Sequence, residues 1–168
     1  MSKRPSPKIW LKLLQRIKDK LKSDPTVIEV CKKYDVKSNV LDVVPIKFGD
    51  INVSATTEKG IITLNWRLLE RENRHQIPMY IAHELVHYCQ QSFVPTRSAD
   101  DGDYLSNPFE QEAFQYQIKF IDDHLGEHEA DKYVNQVLDH HDKEGKERQK
   151  IKKKLKARAQ ILASYRKV

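Results

Sequence analysis

The sequence holds two cysteines, Cys31 and Cys89, among 168 residues. So few exclude a disulfide framework as the source of stability, and a chain of this length can bury enough apolar surface to fold without one. It contains no run approaching the roughly 20 apolar residues that a membrane-spanning helix requires. The first residues lack the apolar stretch and small-residue cleavage site of a secretory signal. These absences lead us to expect a soluble, cytoplasmic protein with one main globular body.

What the chain has in excess is positive charge, unevenly placed. The formal net charge is +6. Residues 1–22 carry eight Lys/Arg against one Asp, and 143–168 carry eleven against two Glu, which leaves the intervening 23–142 at −10. A uniformly basic domain would point directly to nucleic acid. An acidic body with basic ends allows the ends either to dock on the body or to bind a polyanion such as DNA or RNA. After Gly145, the segment KERQKIKKKLKARAQILASYRKV sets Ile151, Leu155, Ala159, Leu162 and Tyr165 on one helical side, with lysines over the remainder. Docking, phosphate-backbone contact and self-association all fit that pattern; the acidic body favours docking.

Periodicity divides the chain further. Lys8 to Lys22 places Ile9, Trp10, Leu13, Leu14, Ile17 and Leu21 on one face of a basic helix, and Ser23-Asp24-Pro25 opens a second helix that runs to about Tyr34. From Val40 the apolar residues Val43, Val44, Ile46 and Phe48 read as a short strand region. Ile51 to Thr57 and Ile61 to Asn65 follow as alternating runs joined through Glu58, Lys59 and Gly60, the pattern of an antiparallel hairpin. Asn65 is placed to cap a short helix over Trp66 to about Arg74. A strand left at the sheet edge could hydrogen-bond an extended peptide.

Pro78 to Gln91, PMYIAHELVHYCQQ, carries the chemistry. His83 and His87 are four residues apart, so on a helix they project from one face toward one point. Glu84 lies beside the first of them. Two neutral imidazoles can hold zinc and an adjacent carboxylate can take a proton from a bound water, which makes HExxH the pattern of a zinc site with its general base. Ile81, Ala82, Leu85, Val86 and Cys89 form the apolar stripe that would bury the other side.

A catalytic zinc usually has three protein ligands. After an aperiodic stretch from Ser92 to Ser106, Asn107, Pro108 and Glu110 mark a helix start, with Glu110 reaching back to close a capping box. Phe109, Ala113, Tyr116 and Phe120 make its buried stripe, and Glu112, one turn in, faces inward as the expected third ligand. His124 to His128 reads HLGEH, which fits an inverted zinc motif. Leu125-Gly126 there reads as a helix end, so its two histidines should not share a face. The following helix, about Glu127 to His141, buries Ala130, Tyr133, Val134, Val137 and Leu138. Tyr104, His75, Tyr116 and either His124 or His128 are candidates for stabilising an oxyanion.

HELVH followed by a second helix reading NPFEQEAF resembles the gluzincin metallopeptidases, notably compact single-domain kinds such as the minigluzincins and the ImmA/IrrE type. The resemblance covers roughly Ile46 to Leu125. It implies an α+β zincin-like fold, with a small, mostly antiparallel sheet ending in an ITLN-like edge strand, packed on the HExxH helix and flanked by helical extensions. Together with the charge and periodicity of the ends, the chain divides into a helical segment over 1–39, an expected catalytic domain over 40–142 and a basic helix over 143–168. The resemblance further implies a zinc endopeptidase in which His83, His87 and Glu112 bind Zn2+ and Glu84 is the general base acting on a protein or peptide substrate. The competing class is a nucleic-acid-associated protein. A hybrid of the two is an SprT-like protease that acts on DNA-crosslinked proteins; its third ligand is a histidine, which a Glu112 ligand argues against.

Overall fold

The structure is a computed structural model that describes residues 4–93 and 103–165, with side chains described as far as 156. It is α+β, with helices around a small three-stranded sheet. Its contacts divide the chain into two compact units, 1–95 and 96–168.

The first unit opens with α1 (Pro7–Lys22) and α2 (Pro25–Lys33). Asp24 caps α2 by accepting from the Thr26 and Val27 N–H groups, at 2.8 and 3.2 Å, which fixes the turn between the two helices. Leu14, Ile17 and Leu21 are the part of the expected α1 stripe that is buried; Ile9 stays exposed. Trp10 instead meets Phe48 and Trp66 edge-on, at 5.6 and 6.2 Å between ring centres. The strand region expected from Val40 begins later. Val40–Val43 is a helical turn, α3, that buries Leu41 and leaves Val43 74% exposed. A short apolar run does not by itself distinguish strand from helix.

The sheet consists of β1 (Ile46–Gly49), β2 (Ala55–Glu58) and β3 (Ile61–Asn65) in the order β1-β3-β2. The β2-β3 hairpin forms, but its first strand is Ala55–Glu58 rather than the whole of Ile51 to Thr57. Lys59 and Gly60 both take positive φ, 51° and 75°, as a two-residue turn matched to strand twist requires. β1, however, pairs parallel to β3, so the sheet is mixed and the ITLN strand is central rather than at an edge. Asn65 explains the crossover. Its side-chain amide donates to the Ile51 and Val53 carbonyls at 2.6 and 3.0 Å, pinning the 50–54 connection past the end of β3, while its Oδ1 accepts from Arg67 N–H. That cap opens a single 3-10 turn, Trp66–Leu69; a second, Arg74–Gln76, precedes α4 (Ile77–Phe93). α4 packs on β2, β3 and α2. Its stripe of Ile81, Ala82, Leu85, Val86 and Cys89 is wholly buried, and Cys31 and Cys89 form no disulfide.

The second unit is built on α5 (Pro108–Leu125), which α6 (Glu127–His140) and α7 (Gly145–Tyr165) both contact. Every α5 residue from Glu110 to Ile121 is buried. A 3-10 turn, Tyr104–Ser106, leads into α5, and most of the aperiodic stretch before it, 94–102, lies outside the described residues. Gly126, at φ 92°, is the only residue between α5 and α6, so the break the HLGEH sequence suggested is present. His124 ends one helix, packed on Phe120 at 4.2 Å between ring centres, and His128 begins the next.

The lysine-rich α7 lies against the unit through Ile151 and Leu155, with the Gln115 side chain donating to the Lys154 carbonyl at 3.0 Å. Lys156 pairs with Asp131, Arg148 with Asp139, and Lys143 with Asp103. The Lys156 hydrogen bond holds the Asp131 carboxyl below its ordinary range, as Lys143 does for Asp103. Exposed pairs of this kind contribute little each, so the apolar contact dominates. Leu155, 0% exposed, tests this. Leu155→Ala is expected to cost about 2–5 kcal/mol in chemical denaturation, as large-to-small changes in a close-packed core do; a loss below about 0.5 kcal/mol, typical of a surface site, would show that α7 is not docked through this face.

Candidate metal centre

α4 brings His83, Glu84 and His87 together, each 5% exposed. Pro78 in the first turn and the apolar stripe against the sheet fix the helix, and the four-residue spacing does the rest. The Nε2 atoms of His83 and His87 face each other at 3.2 Å, with ring centres 4.9 Å apart and planes inclined by 66°. Two imidazole nitrogens bound at 2.0–2.1 Å to one tetrahedral ion stand about 3.3 Å apart. The pair therefore has the separation that a single zinc ion demands.

His87 Nδ1 lies 2.9 Å from Oε1 of Gln90, a side chain with no exposure. With a carbonyl-type oxygen as partner, Nδ1 carries the hydrogen and Nε2 keeps its lone pair, the tautomer a metal requires. Gln90 is the supporting residue the sequence reading missed. Its signal was present, since three residues after His87 on a helix is a neighbouring position.

Glu84 is held from the sheet. The Thr57 hydroxyl on β2 donates to Glu84 Oε2 at 2.6 Å and lies 3.2 Å from the Glu84 carbonyl. Gln91 Nε2 in turn donates to the Thr57 carbonyl at 2.9 Å, tying helix and strand together. Thr57 is the only buried residue of β2, and it points toward α4 because the hairpin register sets it opposite Ile62. The alternation of the run hinted at its inward face, but only the packing of α4 on β2 identifies its partner.

In the second unit Asn107 caps α5 as the sequence indicated, accepting from the Phe109 and Glu110 N–H groups at 2.8 and 3.4 Å. The Asn107 N–H donates to the Tyr104 carbonyl at 3.3 Å. Glu110 and Glu112 are both buried in the first turns of α5. Among the oxyanion candidates, Tyr116 is buried in α5, His75 and His128 are exposed, and Tyr104 stacks on His141 with ring centres 5.0 Å apart. Among the described residues no helix is long and apolar enough to cross a membrane. No protein-family model, no curated protein and no solved structure matches this chain.

Removing the Thr57 hydroxyl should expose its value. Thr57→Val keeps the shape but strands a buried carboxylate oxygen, and is expected to lower unfolding stability by about 1–3 kcal/mol, with Thr57→Ser recovering most of it. Equal denaturation midpoints for the Val variant and the parent would show that this bond does not hold Glu84.

Proposed function

We propose that the chain is a zinc-dependent metallopeptidase of zincin-like fold. The observation that carries this reading is the buried His83–His87 pair, with its nitrogens at the separation of two ligands to one ion, the ligating tautomer set by Gln90, and a carboxylate adjacent on the same helix. The donor chemistry, neutral imidazole with carboxylate, suits Zn2+.

In this proposal His83 and His87 hold the metal and one of the two α5 acids, Glu112 or Glu110, supplies the third ligand, a His, His, Glu set of the kind that binds zinc in peptidases. A bound zinc ion supplies Lewis acidity and lowers the pKa of a water molecule. Glu84 takes the proton from the attacking water and passes it to the leaving amine nitrogen as the peptide bond breaks. Thr57 is a positioning residue, because its hydroxyl orients that carboxylate without reaching the reacting atoms. Burial of the three α4 side chains keeps bulk water from competing for these bonds.

Metal content and turnover should separate under mutation. Glu84→Gln is expected to retain one zinc per chain, measured by atomic absorption, while cleavage of a mixed peptide library falls by roughly 10²-fold or more. His83→Ala or His87→Ala should lose the metal. A Glu84→Gln protein that cleaves as well as the parent would end the proposed role of this residue.

The two acids of α5 form a second, independent test. Of Glu110→Ala and Glu112→Ala, the one that removes the ligand should weaken zinc binding by at least the 10-fold that loss of even a supporting group causes, and the other should leave it near the parent value. A zinc affinity unchanged by either substitution would remove α5 from the site.

A further inference from the structure

The proposed reaction leaves unused a groove on the first unit, lined by none of the HExxH residues. Its volume is about 440 Å³, and α1 and the 3-10 segments before α4 form its walls. Lys8, Lys12 and Arg16 line it from α1, and Arg74 lines it from the opposite wall, with no carboxylate among the lining residues. All four are exposed. The Arg74 Nε donates to the Leu69 carbonyl at 2.6 Å, which orients the guanidinium, and among the described residues none of the four takes part in an ion pair. Elsewhere, cations on the same helix are neutralised, as Lys22 is by Asp19 and Asp42. This face therefore concentrates positive charge that no ion pair among the described residues balances.

The arrangement selects among anions. Lys8, Lys12 and Arg16 repeat every four residues, about 6 Å along the helix axis, so they form a row rather than a point. A single phosphate or carboxylate would engage one end of such a row; a ligand with anionic groups at regular intervals engages all of it. Between the cations lie Trp10, Leu13 and Leu69, an apolar floor on which a flat, uncharged group can rest. Regular charge beside flat apolar groups describes a single nucleic-acid strand, whose phosphates track a basic groove while its bases lie on apolar or aromatic surface.

We propose that this groove is a binding site for single-stranded nucleic acid, with Lys8, Lys12, Arg16 and Arg74 contacting successive phosphates. In the second unit, by contrast, Lys143 and the α7 residues Arg148 and Lys156 are engaged by acids of their own unit.

Fluorescence anisotropy of a labelled thymidine oligomer, titrated with the full chain across a range of salt concentrations, tests the proposal. Four phosphate contacts predict that log affinity falls against log salt with a slope of about −2.8, at roughly −0.7 per contact on a single strand. The exposed pair Lys12→Glu and Arg16→Glu should weaken binding at least tenfold and flatten the slope, with an unchanged circular dichroism spectrum and melting temperature. The exposed α7 pair Lys150→Glu and Lys153→Glu should leave both near the parent values. Binding lost with the α7 pair and kept with the α1 pair would overturn the assignment, as would no binding at low salt. Equal or tighter binding of poly-glutamate, or of phosphatidylserine vesicles, with the same dependence on Lys12 and Arg16 would show that the groove serves an acidic polypeptide or a membrane surface instead.

Discussion

Burying ionisable groups is the constraint on which the first unit depends. His83, Glu84 and His87 sit within a turn and a half of α4, each almost completely removed from water. An unpartnered carboxylate or imidazole in such a place would cost several kcal/mol, more than one helix of this length could offset. The unit meets that cost with fixed polar partners: Thr57 from β2 for the acid, Gln90 from the same helix for one imidazole, and Gln91 to hold the strand carrying Thr57. The apolar stripe that packs α4 on the sheet is thus also what brings Thr57 within reach.

The local elements were legible in the sequence because their signals are short-range. The caps at Asp24 and Asn107, the prolines at the helix starts, the Lys59-Gly60 turn and the glycine break at 126 each fix their own neighbourhood through one or two hydrogen bonds or a single φ angle. Strand order was not legible, because β1 could join either edge of the hairpin with equal hydrophobic patterning. The choice of a parallel pairing with β3 follows from side-chain bonds of Asn65 across twelve and fourteen residues. The start of the strand region was misread because the four residues Val40–Val43, with Asp42 among them, are too few to show a period.

The site was legible to the same degree. His83, Glu84 and His87 lie on one helix, where spacing dictates geometry, and their convergence needed no tertiary information. Thr57 is contributed by a distant segment, so its role emerges only when β2 packs on α4.

The two-residue hairpin turn has a consequence for how this sequence can vary. Loop insertions on a protein surface are usually inexpensive, since closing a slightly longer loop costs little entropy. Here the turn length sets which residue of β2 faces α4, and side chains alternate between faces at every step along a strand. One residue added between Glu58 and Ile61 would slide β2 past β3, or force a bulge, and would present Thr56 or Glu58 to the helix in place of Thr57. The Lys59-Gly60 turn thus serves as a ruler for the acid: its length, at a position with no chemistry of its own, decides whether a hydroxyl or a second carboxylate meets Glu84.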